Sequence, residues 1–331
     1  MAAAETEALY RLPWAELQLR AWQARTAHFT PWLGLAVPGA RHYQTEHYGN
    51  APHHFAAISL TGKACALNCA HCGGQLLDTM FPAPTPGELR ALGERLLAQG
   101  CHGVLISGGA DARGAVPLSA HLSAIAHLKA LGLQVIVHTG LVDAYGETAR
   151  GLAAAGVDQV LFDVIGDEET IRTVYGLPYT PADYERGLAI LRDAGLAVAP
   201  HVVIGLHFGQ VRGEPAALDI IHQVGADVVV LVVLRPLPNT AMAGALPPAA
   251  EVVGRLTAVA RLSMPETPLT LGCARPMGPL KCEMERLAVL AGANVVAYPD
   301  PDTVRLAVDC GLQVQFVESC CTLLNPPARL A

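Results

Sequence analysis

Charge is what this sequence has least of. Only 15% of its 331 residues are Asp, Glu, Lys or Arg, against about 25% in an average soluble domain. Aromatics are scarce at 5%, so the apolar mass is Ala, Val and Leu. With 52% hydrophobic residues the chain can bury enough surface to offset its ordering entropy, which excludes a disordered chain. It has no basic run, and 22 basic against 29 acidic residues give −7, which excludes the electrostatic footprint of a nucleic-acid binder. Long apolar runs are missing as well. The longest, Val228–Leu234, is seven residues, where a membrane span needs about 18–20. The opening MAAAETEALYR has no basic segment followed by an apolar one, so no secretory leader is expected. The expectation is a cytoplasmic enzyme with neither nucleic acid nor membrane as partner.

Cysteine, by contrast, is plentiful. The nine are Cys65, Cys69, Cys72, Cys101, Cys273, Cys282, Cys310, Cys320 and Cys321. Without an export signal, grouped thiols point to metal or catalysis rather than to disulfides. Cys65, Cys69 and Cys72 form C-x3-C-x2-C within GKACALNCAHCGG, and Cys320 and Cys321 are adjacent. Cys273 lies in LGCARP, while Cys101, Cys282 and Cys310 have no close neighbour in sequence.

The first fifty residues hold all three Trp, with Pro13 placed to start a helix and an irregular stretch containing Pro31 and Pro38 after it. From residue 55 short apolar, β-branched runs alternate with helical ones. The predicted strands are 55–60, 102–107, 133–138, 159–164, 197–206, 227–234, 268–273 and 294–298, with a last apolar strand in LQVQFVES. Eight strand–helix units in about 250 residues predict an α/β fold, a (β/α)8 TIM-type barrel, with a doubly wound open sheet as the competitor. The predicted divisions are an N-terminal helical, aromatic extension over 1–50, the barrel over 51–311 and a cysteine-bearing tail over 312–331. In either fold chemistry gathers at the C-terminal ends of the strands. Those ends carry the three-cysteine loop, SGGAD at 107–111, His138, Asp163, His201, Arg235 and Cys273.

Three thiolates in one loop cannot close a tetrahedral zinc site without a fourth ligand. They can hold three irons of a 4Fe–4S cubane and leave the fourth iron open to a small molecule. His71 could complete a zinc site, but its neighbours on both sides point at the metal, which leaves its ring poorly placed to follow. The C-x3-C-x2-C loop after the first barrel strand, followed by Gly73-Gly74 and then SGGAD, resembles the radical S-adenosylmethionine (SAM) superfamily. There the residue before the last cysteine is usually aromatic; here it is His71. The resemblance implies that Cys65, Cys69 and Cys72 hold a 4Fe–4S cluster whose open iron chelates SAM. The cluster then donates the electron that cleaves SAM to a 5′-deoxyadenosyl radical. It implies that Gly73, Gly74, Ser107, Gly108, Gly109 and Asp111 border SAM, with glycines letting backbone approach the zwitterion closely. Which acid stands where the family has its usual one is left open between Asp111 and its neighbours. No catalytic residue is expected beyond the cluster ligands.

A narrower resemblance runs through LISGGADARGAVPL, VHTGLVD, FDVIGDEETIRTVYGL, PHVVIGLHFG, LGCARP and ESCC, from 55 to 325. It is to a branch of the biotin-synthase-like proteins that includes a subunit of the two-component lipoyl synthases. It implies sulfur insertion at an unactivated carbon of an octanoyl chain on a carrier-protein lysine. A sister radical SAM subunit, and a ferredoxin or flavodoxin as electron donor, would be partners. Cys273, Cys320 and Cys321 are then candidates for a second, sulfur-donating iron–sulfur cluster, with Ser319, Arg275 or Cys282 as a further ligand; the alternative is three buried thiols. His138, Asp163 and His201 read either as SAM or substrate contacts or as core residues, and Arg275 or Arg235 is the expected partner of Asp163. The rival functions are a radical SAM enzyme without a second cluster acting on a small metabolite, and a metal-binding scaffold without turnover.

Overall fold

The computed structural model describes the backbone of residues 3–327 and the side chains of 6–327. Eleven strands form one sheet: β1 Trp32–Ala36, β2 Phe55–Ser59, β3 Phe81–Pro82, β4 Gly103–Ser107, β5 Gln134–His138, β6 Gln159–Asp163, β7 Val198–Ile204, β8 Val229–Val233, β9 Leu269–Leu271, β10 Val295–Ala297 and β11 Gln313–Val317. Every pairing is parallel, in the order β11-β1-β10-β9-β8-β7-β6-β5-β4-β2-β3. Parallel strands covered on both faces read as continuous apolar runs, and β8, VVLVV, is buried at every position. Between strands the chain returns in helices started by local chemistry. Thr85 and Glu88 form a reciprocal capping box for helix Pro86–Ala98, and Thr180 and Asp183 do so for Pro181–Asp193.

All eight predicted barrel strands are present, in sequential order from β2 to β10. The sheet is a curled, barrel-like (β/α) structure, as expected, but its closure differs from the eight-unit scheme. Trp32–Ala36, within the stretch expected to be irregular, is a strand, and it lies between β10 and β11. The strands at either end of the chain thus extend the sheet beyond the eighth unit, and no hydrogen-bonded ladder joins β11 to β2 or β3 among the described residues.

The curl sorts side chains by the two-residue period of a strand. Most of the apolar core lies between the sheet and its helices. A separate cluster faces inward: Phe55, Ile136, Leu161, Ala199, Val228, Val230 and Val232. The chain after β11 enters this interior. Cys320 and Leu323 pack on that inner cluster, while Cys321 and Leu324 join Ala36, Val295 and Ala297.

Candidate functional site

Ser59 ends β2 and its hydroxyl donates to Gly62 O at 2.6 Å, turning the chain into the three-cysteine loop. The loop is pinned from two sides and by a turn of its own. Ala66 N donates to Ala110 O at 2.9 Å, Ala70 N to Val174 O at 2.8 Å, and Gly73 N to Cys69 O at 2.8 Å. Gly73 and Gly74 follow with φ of 52° and 76°, left-handed backbone that turns the chain away directly behind Cys72. Cys69 and Cys72 are buried and Cys65 is half-buried. The thiols of Cys69 and Cys72 and one ring nitrogen of His71 all lie within 4.8 Å of one another. The ring expected to point away therefore stands beside the thiols. A hydrogen bond from Cys69, helped by His71, holds the Cys72 thiol down at about 4 against the penalty of burial, and Cys69 is raised in return. Three thiols in one loop, with Cys72 favoured as thiolate, are a donor set suited to an iron–sulfur cluster. The buried Nδ1 of His71 meets no protein partner, which fits a ligand at its side.

The SGGAD segment supports this loop more than it opens a pocket. A Cβ on Gly109 would lie 1.9 Å from Ala64 O and 2.6 Å from Cys65 Cα, and the Gly109 N–H already donates to Thr61 Oγ1 at 2.7 Å. Its glycine is thus required by the approach of the cysteine loop. Gly108 is less confined, with the nearest atom to such a Cβ at 3.3 Å. Ser107 donates to His138 O at 3.3 Å. Asp111 caps its own turn, accepting from Arg113 N at 2.8 Å and Ala115 N at 3.0 Å.

One layer above the inner apolar cluster, the alternation of β5, β6 and β7 brings His138, Asp163 and His201 together. His138 Nε2 lies 3.5 Å from Asp163 Oδ1, and the two imidazoles meet edge to face at 5.8 Å. Burial opposes charge at Asp163, but His138, with smaller help from His201 and His71, holds the carboxyl at about 2. Burial also opposes a charged His138, and Asp163 prevails, raising it. His201 is pushed down to about 4 by burial and by His138, and its Nδ1 lies 2.9 Å from Ala199 O. The layer therefore offers an ionised carboxylate, a histidine whose charged form it favours, and one neutral imidazole. The partner of Asp163 is a histidine on the adjacent strand β5, not the expected arginine. Arg275 is instead buried against Glu285, with Nε at 3.0 Å and further bonds to the carbonyls of Gly272, Ala297 and Tyr298. Arg235 is exposed.

Cys273, Cys320 and Cys321 lie near enough for their charges to bear on one another. Cys273 follows β9 and opens onto the interior, accessible yet closely surrounded, and burial raises its thiol. It senses the charge of Cys320, and Cys321 senses that of Cys273. Cys321, hydrogen-bonded to its neighbour, holds Cys320 down to about 7 and is itself raised. The three are spread more widely than the 4.8 Å grouping of the first loop. The committed guanidinium of Arg275 removes it as a ligand there. Cys282 stands apart, 3.9 Å from Asp302 Oδ2. Ser319 faces Gln134 Oε1 at 3.4 Å. Arg41, from the N-terminal stretch, is an unexpected cation here: it lies 5.7 Å over the Tyr298 ring and donates to Cys273 O at 3.5 Å. Cys101 is buried, its thiol donating to Gly103 O at 3.1 Å, and Cys310 caps a helix.

A cavity at the ends of β6 and β7 was also missed. Asp167, Thr170, His207 and Glu214 line it. Glu214 accepts from Gly205 N at 2.6 Å, Arg212 N at 2.8 Å and Gly213 N at 3.0 Å. Asp167 accepts from Thr170 N at 2.8 Å and pairs with Arg212 at 2.9 Å. The signal was the polar, glycine-rich run that follows β7 in sequence.

No helix among the described residues is long and apolar enough to cross a membrane. A family model described as the radical SAM superfamily matches residues 59–220. The chain is 27% identical over 312 residues to the biotin synthase of Leptothrix cholodnii, covering 90% of this chain and 81% of that one. It is 28% identical over 315 residues to the biotin synthase of Methylococcus capsulatus, covering 89% and 85%. In fold it is similar to methylornithine synthase, at a TM-score of 0.63 and 16% identity over 95% of this chain and 94% of the other. It is also similar to the FeFe-hydrogenase maturase HydG of Carboxydothermus hydrogenoformans, at a TM-score of 0.65 and 14% identity over 96% and 76%. With its three-cysteine loop at the end of the first barrel strand, the chain carries a radical SAM domain over residues 59–220 and is similar to the biotin-synthase-like branch of that superfamily.

Proposed function

We propose that this enzyme cleaves SAM reductively and inserts sulfur at an unactivated carbon, building the lipoyl group on an octanoylated carrier protein. The observation that carries the reading is the meeting of Cys273, Cys320 and Cys321 inside the ring of strands whose rim bears Cys65, Cys69 and Cys72. Kinship with biotin synthases supports sulfur chemistry. When bound, a 4Fe–4S cluster with SAM supplies the electron and the 5′-deoxyadenosyl radical that abstracts hydrogen.

The chain's residues do the rest. Cys65, Cys69 and Cys72 hold the cluster. Gly73, Gly74, Ser107, Gly108 and Asp111 border SAM, and Gly109 seats the loop. The His138–Asp163 pair and the neutral His201 present donors and an acceptor to polar groups of SAM or substrate. Ile136, Leu161 and Val230, buried under Cys320 and Leu323, form a dry apolar floor beneath the His138–Asp163 layer that keeps water from the site. Cys273, Cys320 and Cys321 hold a second iron–sulfur group as the sulfur source, with Arg41 as the cation beside it. A ferredoxin or flavodoxin supplies electrons, and a sister radical SAM subunit shares the work.

Anaerobic reconstitution tests the reading. About eight irons per chain are expected; about four, with SAM cleavage intact, would overturn sulfur insertion in favour of a reaction on a small metabolite. Mass spectrometry of an octanoylated carrier domain should show gained sulfur. Gain on a sulfur-free biotin precursor, and not on the carrier, would replace the lipoyl assignment.

A further inference from the structure

The aromatic position of the cysteine loop is filled here by a residue that hydrogen-bonds. His71 is held from behind. Its ring lies 5.4 Å from that of Tyr175, tilted by 54°. Tyr175 ends a single π-helical turn, Ile171–Tyr175, whose Val174 carbonyl accepts from Ala70 N, one residue before His71. Backbone and ring are thus fixed by the same turn, the kind of local widening of a helix that recurs at functional sites. In front, one ring nitrogen is within 4.8 Å of both the Cys69 and the Cys72 thiols. The buried Nδ1 has no protein partner, a costly state unless a ligand completes it. An imidazole carries an N–H in either neutral tautomer, whereas a phenyl ring carries none.

We propose that His71 is a positioning residue that donates a hydrogen bond to sulfur of the reducing centre and so raises its reduction potential. This rests on the reading of Cys65, Cys69 and Cys72 as cluster ligands. A donor to thiolate or sulfide withdraws electron density from the sulfur and favours the reduced form, which carries one more negative charge.

The test is a mediated redox titration of the reconstituted full chain, read by EPR on the signal that changes when SAM is added, for wild type, His71→Phe and His71→Gln. His71→Phe should bind as much iron as wild type but be harder to reduce, by about tenfold in the one-electron equilibrium, or about 59 mV. His71→Gln, which restores an N–H, should recover much of the shift. An unchanged or higher potential in His71→Phe overturns the assignment while leaving the cluster ligands standing. Loss of iron from His71→Phe overturns it too, by making His71 a ligand. A wild-type chain that takes up no iron overturns the ligand reading, and the assignment with it.

Discussion

The carboxylate of Glu318, the first residue past β11, lies 2.6 Å from Nδ1 of His54, the last residue before β2. Two elements at opposite ends of the sheet order are joined by this contact. Glu318 also accepts from Ala51 N at 3.1 Å and from the Tyr48 hydroxyl at 2.9 Å. The ring of strands is clasped by one side chain where a strand ladder would otherwise close it.

Glu318→Ala should therefore open the ring at this seam. The expected cost is about 2 kcal/mol, from stranded donors, seen as a lower midpoint in urea. Limited proteolysis should cut the chain after residue 318 sooner than in wild type, because the inward path of Cys320–Leu324 begins at this clasp.

Gly109→Ala and Gly108→Ala should separate sharply. The first places a methyl 1.9 Å from Ala64 O, the second no nearer than 3.3 Å to any atom outside its own neighbours. Gly109→Ala should keep its helical circular dichroism and lose iron uptake; Gly108→Ala should keep both. Equal iron uptake by the two would refute the packing argument.

His201 sets a pH dependence. Its folded value is pushed from 6.5 down to about 4, so the unfolded chain binds a proton in this window that the folded chain refuses. Stability should fall as pH drops from about 6.5 to about 4, by up to about 1.4 kcal/mol per unit. His138 is shifted the other way and lends stability that is full below 6.5 and fades as pH rises through its folded value. Urea unfolding of His201→Gln at pH 7 and pH 5 should differ less than that of wild type.

Arg275→Met should be the most destabilising of these changes, because Glu285 is fully buried. Breaking a buried pair costs about 3–5 kcal/mol. Lys281, at 3.0 Å from the same oxygen, should hold the loss near the lower end. The double variant Arg275→Met, Glu285→Gln should be more stable than Arg275→Met alone; a double variant that is worse would show that the pair is not the cause.

What the sequence made legible was periodic. The eight barrel strands were visible because β-branched runs bounded by glycine admit few other readings. WLGLA was not, since five residues with a central glycine between Pro31 and Pro38 show no alternation, and its place between β10 and β11 depends on contacts some 260 residues away. Which residues share a loop was readable; which way a side chain turns was not. Hence the cysteine loop was found and His71 misplaced, and Asp163 was given a partner by charge when strand adjacency supplied another. The path of the tail lay beyond any local signal, because Cys320 and Leu323 find their neighbours only once the sheet has curled.

The place of β1 also orders events in time. Trp32–Ala36 is synthesised first among the strands, yet its two partners, Val295–Ala297 and Gln313–Val317, come last. During translation the units from β2 to β9 can assemble on local contacts while this early segment waits without a sheet edge to join. Docking of β1 is thus a late step of high sequence separation, slow for its loop-closure entropy. A nascent chain stalled before residue 295 would carry its first strand unpaired, and only the emergence of β10 and β11 completes the sheet.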